Sequence, residues 1–273
     1  MLAARAQGAT IGFVPTMGAL HDGHAALLDE ARRRADVVVC SIFVNPLQFE
    51  RADDLNRYPR VLEADLELCR RCGVDWVFSP PAHEMYPPGF DTRIVAGALG
   101  RMLEGADRPG HFDGVLTVVN MLFSIVQPHF AVFGEKDYQQ LLLVRRLIKD
   151  FRLPIELVPV PVMRDLDLVA LSSRNARLST AGRVLARAIP QALVAGQDTL
   201  QRGERRAVAI AAAARAVLEA TPGLVTHYVE IRDASLQPVT SVETDGRLLL
   251  AAAVEGVRLI DNGPLFPGVV WRG

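Results

Sequence analysis

The chain has 273 residues, half of them hydrophobic, which is enough apolar material for one large domain or two modest ones. With 30 Lys and Arg against 31 Asp and Glu, it has no global positive field that would attract nucleic acid or an anionic membrane. Residues 1–8 contain no apolar core of signal-peptide length, and no later run reaches the roughly 20 apolar residues of a membrane span. These observations predict a cytoplasmic globular protein without nucleic-acid or membrane partners.

The first part of the chain alternates short apolar runs with longer amphipathic segments. The short runs predict strands buried on both faces at residues 11–15, 37–44, 74–78, 130–133 and 155–160. Helical patterns lie at residues 23–34, 59–71, 115–126 and 136–151. This β-α repetition predicts an α/β fold with a Rossmann-like, doubly wound parallel sheet and right-handed crossovers.

The pattern changes after residue 175. Two Ala-rich helical segments are predicted at residues 181–201 and 204–220, and strand-like runs follow at residues 227–232, 247–254 and 258–261. This order predicts a second, smaller C-terminal α+β domain. The expected domains are therefore residues 1–175 and residues 176–273, with residues 172–175 at the join.

The three cysteines, Cys40, Cys69 and Cys72, predict reduced thiols rather than a disulfide framework. Cys69 and Cys72 have C-x-x-C spacing, but no second pair completes a tetrahedral zinc site. We expect this pair to lie on the surface of a helix, and a metal or redox role is the alternative.

Four polar loops follow predicted strands. They span residues 16–24, 45–49, 134–140 and 164–175. Because the carboxyl ends of parallel strands meet at one edge of an open sheet, where ligands bind, we expect the four loops to converge on a single crevice.

The first loop carries the sequence His21-Asp22-Gly23-His24 at a strand-to-helix turn. This position predicts two imidazoles beside unpaired backbone N–H groups and the positive end of a helix dipole, which together suit phosphate. The imidazoles can donate hydrogen bonds to a reacting α-phosphate and to departing pyrophosphate. Gly18 and Gly23 would permit close approach of the backbone to a nucleotide. The alternative is a pair of incidental surface histidines.

The other loops carry groups that complement a nucleotide and a small acid. Lys136 offers a cation for a triphosphate, Asp137 offers a hard oxygen ligand for Mg²⁺, and Arg174 offers a guanidinium fork for phosphate. Gln48 and Gln140 are amides suited to the hydroxyl groups and carboxylate of a small polar substrate. Each residue alone is also typical of a solvated surface or a cap, so it is their shared sheet edge that favours a site.

Seven ordered segments resemble the pantothenate synthetase family of the HxGH nucleotidylyltransferase superfamily. They are Pro-Thr-Met-Gly-Ala-Leu-His-Asp-Gly-His at residues 15–24, Phe-Val-Asn-Pro-Leu-Gln-Phe at 43–49, Tyr-Pro-Arg at 58–60, Arg-Pro-Gly-His-Phe at 108–112, Phe-Gly-Glu-Lys-Asp-Tyr-Gln-Gln at 133–140, Leu-Ser-Ser-Arg-Asn at 171–175 and Arg-Leu-Ile-Asp-Asn at 258–262. HxGH alone indicates only the superfamily. The ordered set is specific, and the resemblance covers nearly the whole chain.

The resemblance implies ATP-dependent condensation of (R)-pantoate with β-alanine to pantothenate, AMP and pyrophosphate, through a pantoyl adenylate. It implies that ATP contacts Met17, Gly18, Ala19, Leu20, His21, Asp22, Gly23, His24, Gly134, Glu135, Lys136, Asp137, the carbonyl of Met163, Leu171, Ser172, Ser173 and Arg174. It makes His24 the proton-donating catalytic histidine, and the charge-neutralising groups are His21, Lys136 and Arg174. It places pantoate at Gln48, Gln140, Val118 and Val119, with Gln48 also reaching β-alanine. It further implies Mg²⁺ dependence and a homodimer.

Leu168 departs from the family pattern, in which a glycine usually stands at this turn in the sequence Asp-Gly-Leu-Ala. Two alternatives to the ligase are open. Another HxGH adenylyltransferase would act on a phosphate ester and would need more basic groups for that co-substrate. A catalytically idle nucleotide-binding paralogue would retain the fold, and Leu168 is the feature that supports it.

Overall fold

The computed structural model describes residues 5–49 and 52–268. The chain divides into a first unit, Met1–Pro161, and a second unit, Val162–Gly273. The sequence expectation for residues 1–8 falls partly on residues 1–4, which lie outside the described range. Within that range, no helix has both the length and the apolar character needed to span a bilayer.

The first unit contains one parallel sheet with the strand order β3-β2-β1-β4-β5. Its strands are β1 Ile11–Thr16, β2 Val37–Ile42, β3 Trp76–Phe78, β4 Phe130–Gly134 and β5 Glu156–Val160. All neighbouring strands pair in parallel. Because the chain moves outward from β1 in one direction and then returns to the other side through β4, the sheet is doubly wound, and the predicted Rossmann-like fold class is confirmed.

The strands differ in burial according to their place in the sheet. The central strands β1, β2 and β4 are buried almost throughout. For β3 and β5 the prediction of burial on both faces is wrong, since Trp76 is 62% exposed and Glu156 and Pro159 are exposed as well. An edge strand has a neighbour on one side only, so less of it is covered.

Seven helices accompany this sheet in the described part of the first unit after residue 8. They are α1 Asp22–Arg34, α2 Ala52–Arg57, α3 Leu62–Arg71, α4 Ala82–Met85, α5 Glu104–Asp107, α6 His111–Val126 and α7 Tyr138–Asp150. The four predicted helices correspond to α1, α3, α6 and α7. The sequence pattern does not reveal α2, α4 and α5, because segments of one or two turns are too short to show a helical period.

The cysteine pair at the end of α3 differs from its prediction. Cys69 is only 2% exposed and belongs to the apolar core that also contains Cys40 and Val38 of β2. The expectation that the pair lies on the helix surface is therefore wrong for Cys69, while Cys72 is half-buried at the end of the helix. All three cysteines are free thiols.

The second unit contains an antiparallel sheet with the order β6-β7-β8, formed by Leu224–Arg232, Gly246–Val254 and Val257–Leu265. Its helices are α8 Thr180–Ala186, α9 Ala188–Gln201 and α10 Ala207–Glu219. The predicted smaller α+β domain is confirmed. The single helix predicted at residues 181–201 is observed as two helices, α8 and α9. In a continuous helix, the ring of Pro190 would clash with the carbonyl group of Ala186.

Residues 162–175, which the sequence pattern assigned to the first domain, fall in the second unit. Arg164 explains this placement, because its guanidinium group donates to both carboxylate oxygens of Asp261 in β8, at 2.6 and 2.9 Å. Both side chains are almost fully buried. A buried bidentate ion pair of this kind joins the segment to the second sheet.

Candidate active site

The loop between β1 and α1 ends in two histidines that cap the helix. The backbone N–H of Gly23 donates to Nδ1 of His21 at 3.1 Å, and the backbone N–H of His21 donates to Nδ1 of His24 at 3.3 Å. This is a capping box in which imidazole nitrogens replace the usual hydroxyl and carboxylate groups. Because each Nδ1 accepts a hydrogen bond, the proton of each neutral ring lies on Nε2. The ring centroids are 4.1 Å apart.

Both imidazoles are neutral at physiological pH. Burial, followed by the nearby Lys136, lowers the pKa of His21 from its ordinary 6.5 to about 4. Burial, followed by the neighbouring His21 ring, lowers the pKa of His24 to about 3. Each ring can therefore donate one hydrogen bond from Nε2 without carrying a positive charge.

Backbone N–H groups beside the imidazoles were expected to be unpaired, and this expectation is wrong for residues 18–20 and for Gly23. Gly18 donates to Oγ1 of Thr16 at 3.2 Å. Ala19 donates to Oδ2 of Asp65 at 2.9 Å, and Leu20 donates to Oδ1 of the same carboxylate at 2.7 Å. Since these three amides donate within the protein, the imidazole Nε2–H groups and the cationic side chains are the groups this region offers to an anion.

The loop after β4 contributes charge to the same region. A 3₁₀ turn, Glu135–Asp137, begins where β4 ends, and the Nζ of Lys136 lies 3.7 Å from Oδ1 of Asp137. The charges of Lys136 and Asp137 act on both imidazoles. Since β1 and β4 are neighbours at the point where the strand order reverses, the structure brings His21, His24 and this pair together at the topological switch point.

The Gln48 side chain has a defined orientation. Its Oε1 accepts a hydrogen bond from Nδ2 of Asn45 at 3.0 Å, and its Nε2 donates to Sδ of Met17 at 2.8 Å. The hydroxyl group of Tyr86 donates to Oδ1 of Asn45 at 2.7 Å. Asn45 and Tyr86 thus fix which end of the Gln48 amide is the donor. Neither residue was predicted to have this role.

The backbone of Gln48 is held by the start of α6. Nδ1 of His111 lies 2.8 Å from the Gln48 carbonyl oxygen, and Nη2 of Arg108 donates to the same oxygen at 3.2 Å. A Cβ on Gly114 would lie 2.2 Å from the carbonyl oxygen of Leu47, so only glycine allows α6 to approach this closely. The Arg-Pro-Gly-His-Phe segment was the signal in the sequence for this contact, although its role was not predicted.

The remaining residues predicted to bind substrate in the first unit lie on α6 and α7. Val118 and Val119 are buried in α6. Val118 is one helical turn beyond Gly114, on the face that packs against residues 46–48. Gln140 is half-buried in the first turn of α7.

The predicted nucleotide residues Met163 and Leu171–Arg174 belong to the second unit. The carbonyl oxygen of Met163 accepts a hydrogen bond from the N–H of Leu171 at 2.9 Å. Oγ of Ser172 accepts from the N–H of Arg174 at 3.3 Å and caps the 3₁₀ helix Ser173–Arg177. The hydrogen bond between Met163 and Leu171 brings these two predicted residues together within the second unit.

The turn at Leu168 keeps the geometry that a glycine would adopt. Leu168 has a φ of 65°, which lies in the left-handed region. Its N–H donates to the carbonyl oxygen of Asp165 at 3.0 Å. Oδ1 of Asp165 accepts from the N–H groups of Asp167 and Val169 at 2.9 and 3.1 Å. Leu168 therefore holds a backbone conformation that glycine adopts more readily than leucine.

Comparison with known proteins places the chain in one family. The pantoate-beta-alanine ligase family model matches residues 1–264. The pantothenate synthetases of Aquifex aeolicus and Nocardia farcinica are 50% and 51% identical to this chain, covering 94% and 95% of it and 92% and 80% of the relatives. The crystal structure of pantothenate synthetase from Thermus thermophilus matches with a TM-score of 0.91 at 46% identity, covering 94% of each chain. That of the Francisella tularensis ligase complexed with beta-gamma ATP and beta-alanine matches with a TM-score of 0.79 at 35% identity, covering 94% of this chain and 90% of the other. The chain therefore belongs to the pantoate-beta-alanine ligase family.

Proposed function

We propose that this chain catalyses the ATP-dependent condensation of (R)-pantoate with β-alanine to give pantothenate, AMP and pyrophosphate, through a pantoyl adenylate. Membership of the ligase family and the ligands of the Francisella tularensis relative support this reaction. The observation that carries the proposal is the pair of neutral imidazoles, His21 and His24, beside Lys136 at the switch point of the sheet. This arrangement offers donors to phosphate oxygens and a cation to the released pyrophosphate.

We assign ATP to the two loops at the switch point and to the segment of the second unit with matching motifs. The proposed residues are Met17, Gly18, Ala19, Leu20, His21, Asp22, Gly23, His24, Gly134, Glu135, Lys136, Asp137, Met163, Leu171, Ser172, Ser173 and Arg174. In the first loop, Gly18, Ala19 and Leu20 shape the backbone, since their N–H groups donate within the protein. The phosphates are bound by side chains.

The first step forms the adenylate. A carboxylate is a poor acyl donor to an amine, and pantoate is already ionised at neutral pH, so its attack requires alignment and stabilisation of charge rather than a general base. One carboxylate oxygen bonds to the α-phosphorus while the bond from that phosphorus to pyrophosphate breaks. His21 and His24 donate hydrogen bonds from Nε2 to oxygens whose negative charge grows, and Lys136 and Arg174 balance that charge.

His24 acts here through hydrogen bonding. With a pKa of about 3, its ring holds one proton, on Nε2, at neutral pH. The proton-donating role that the resemblance implies is assigned to this N–H group. In the second step, the amine of β-alanine attacks the acyl carbon, the bond from that carbon to the AMP oxygen breaks, and the amine loses a proton.

We assign pantoate to Gln48, Gln140, Val118 and Val119. Because Oε1 of Gln48 already accepts from Asn45, its Nε2–H₂ group is the end that can donate to the carboxylate or hydroxyl oxygens of pantoate, and Gln48 also reaches β-alanine. The buried valines match the branched, apolar part of the acid.

The residues fit a Mg²⁺ ion that arrives with ATP. Among the described residues, no cluster of three His, Cys, Asp or Glu side chains could hold a metal, so there is no preformed protein cage. Mg²⁺ is usually held by one or two carboxylates together with substrate phosphates, and Asp137 is the carboxylate that would hold it here. When bound, the ion would neutralise phosphate charge.

We also propose that the protein works in the cytoplasm, as its sequence predicts, and that it forms a homodimer, as the resemblance implies. The exposed Trp76 on the edge strand β3 supplies apolar surface that a second copy could cover. Light scattering at micromolar concentration should give twice the mass of one chain. A mass equal to one chain would contradict the dimer.

The position of the bridging oxygen tests the proposed function. Pantoate labelled with heavy oxygen in its carboxylate should deliver one labelled atom to AMP and none to pyrophosphate, because the attacking oxygen stays on phosphorus when the amine displaces AMP. Mass spectrometry after complete turnover measures both products. Unlabelled AMP, or label in inorganic phosphate, would reject the acyl-adenylate mechanism, and absence of pantoate-dependent AMP release would favour an idle paralogue.

A further inference from the structure

Asp65 of α3 is a buried carboxylate that the reaction above does not use. Asp65 is only 2% exposed. Oδ1 and Oδ2 accept from the backbone N–H groups of Leu20 and Ala19, two consecutive residues of the loop that precedes His21. These contacts join residues that are 45 and 46 positions apart in the chain.

The loop has a backbone conformation that creates a place for an anion. Gly18 and Ala19 both have positive φ, at 80° and 50°. The next two N–H groups, those of Ala19 and Leu20, converge on one anion, the carboxylate of Asp65. This stretch of backbone therefore binds a carboxylate of the protein itself.

The contact between loop and carboxylate is close enough to constrain the sequence. A Cβ on Gly18 would lie 2.9 Å from Oδ2 of Asp65 and 3.0 Å from Cγ2 of Ile42. Ala19, which has a Cβ, is held in the left-handed region at an energetic cost. The two hydrogen bonds to Asp65 favour this conformation over the extended one that alanine would otherwise adopt.

We propose that Asp65 is a positioning residue for the nucleotide. By fixing Ala19 and Leu20, it sets the direction in which the chain enters α1 and therefore the place of the two capping imidazoles. Asp65 therefore acts on the nucleotide indirectly, through the loop. This inference rests on the proposed function for the identity of the nucleotide, and the loop geometry on which it stands is independent of the acid substrate.

Asp65→Asn tests this role with little change in size. The asparagine keeps one acceptor oxygen, but its NH₂ group faces the second backbone N–H. One of the two hydrogen bonds to the loop is therefore lost. We expect the dissociation constant and the KM for ATP to rise about tenfold or more, the range expected for loss of a hydrogen bond to a charged group. The KM for pantoate should change much less, within about twofold, because Asn45 and the start of α6 hold Gln48 in addition to its contact with Met17 of the loop.

Glu63→Gln is the matched control, since it removes one carboxylate charge from the exposed face of the same helix. Gly18→Ala disturbs the same contact from the loop side. It should also raise the dissociation constant and the KM for ATP. Combined with Asp65→Asn, it should cost less than the sum of the single effects, since both changes disrupt one contact.

Two results would overturn the role of Asp65. One is an ATP affinity in Asp65→Asn equal to that in Glu63→Gln. The other is an equal proportional loss for ATP and pantoate, which would indicate general damage to the first unit. Calorimetry measures ATP binding without turnover, so an inactive wild type would reject the proposed function while the affinity of the variants still decides the question for Asp65.

Discussion

At the scale of single residues, the two ring nitrogens of His24 have separable roles. Nδ1 accepts the His21 N–H and caps α1, while Nε2–H is proposed to donate to phosphate. Asparagine places an oxygen near the position of Nδ1, whereas leucine offers neither an acceptor nor a donor. His24→Asn should therefore keep its stability and lose roughly 10²-fold or more in turnover. His24→Leu should lose about 1 kcal/mol of cap stability as well as turnover.

AMP release at saturating substrate and thermal unfolding measure these two effects. Near wild-type turnover in His24→Asn would remove His24 from the catalytic groups. Equal loss of stability in both variants would show that the cap is not specific to Nδ1.

Some of these residue roles could be predicted from the sequence, and others could not. The sequence places the motif at residues 21–24 directly after a strand. This position could be predicted because strand and helix patterns depend only on neighbouring residues. Asp65 was missed, although it shares the α3 face with Leu68 and Cys69, and a carboxylate within an apolar stripe signals burial. Its partners could not be inferred, because they lie far away in the sequence.

At the scale of elements, the turn at Leu168 gives a stability prediction. A leucine with φ of 65° is strained by about 1–2 kcal/mol, whereas glycine adds roughly 0.5–1 kcal/mol of unfolded-state entropy. Leu168→Gly should therefore stabilise the chain by roughly 0.5–1 kcal/mol in a urea titration. Leu166→Gly is the control, since Leu166 is fully exposed in the same turn and has no positive φ.

The control should be neutral or destabilising, because glycine there relieves no strain. If Leu168→Gly destabilised the chain as much as the control, the strained-turn interpretation would be wrong.

At the scale of the whole molecule, the neutral histidines predict how stability depends on pH. In the unfolded chain, His24 binds a proton as the pH falls below about 6.5, whereas in the folded protein it does so only near pH 3. The folded state therefore binds fewer protons in this interval, and stability is present above pH 6.5 and lost as the pH falls. From about pH 7 to about pH 4.5, the His24 contribution to unfolding free energy should fall by about 2.5 kcal/mol, roughly 1.4 kcal/mol for each pH unit below 6.5.

His24→Asn is the control for this effect too, because it keeps the cap acceptor and cannot titrate. Urea titrations of both proteins across the interval measure the difference, in which the contributions of the other titrating groups cancel. The wild type should lose more stability than the variant on acidification. Parallel curves would contradict the low pKa of His24.

The sequence by itself determined the order and type of the long elements, the parallel doubly wound sheet, the smaller α+β unit and the common sheet edge of the polar loops that follow β1, β2 and β4. These follow from periodicity and turn chemistry, which are properties of neighbouring residues. Only the tertiary structure decided which hydrogen bonds satisfy the first loop, which nitrogen of each imidazole carries the proton, and that residues 162–175 join the second unit. The reason is that each depends on burial or on a contact between distant segments, such as Asp65 with Leu20 or Arg164 with Asp261.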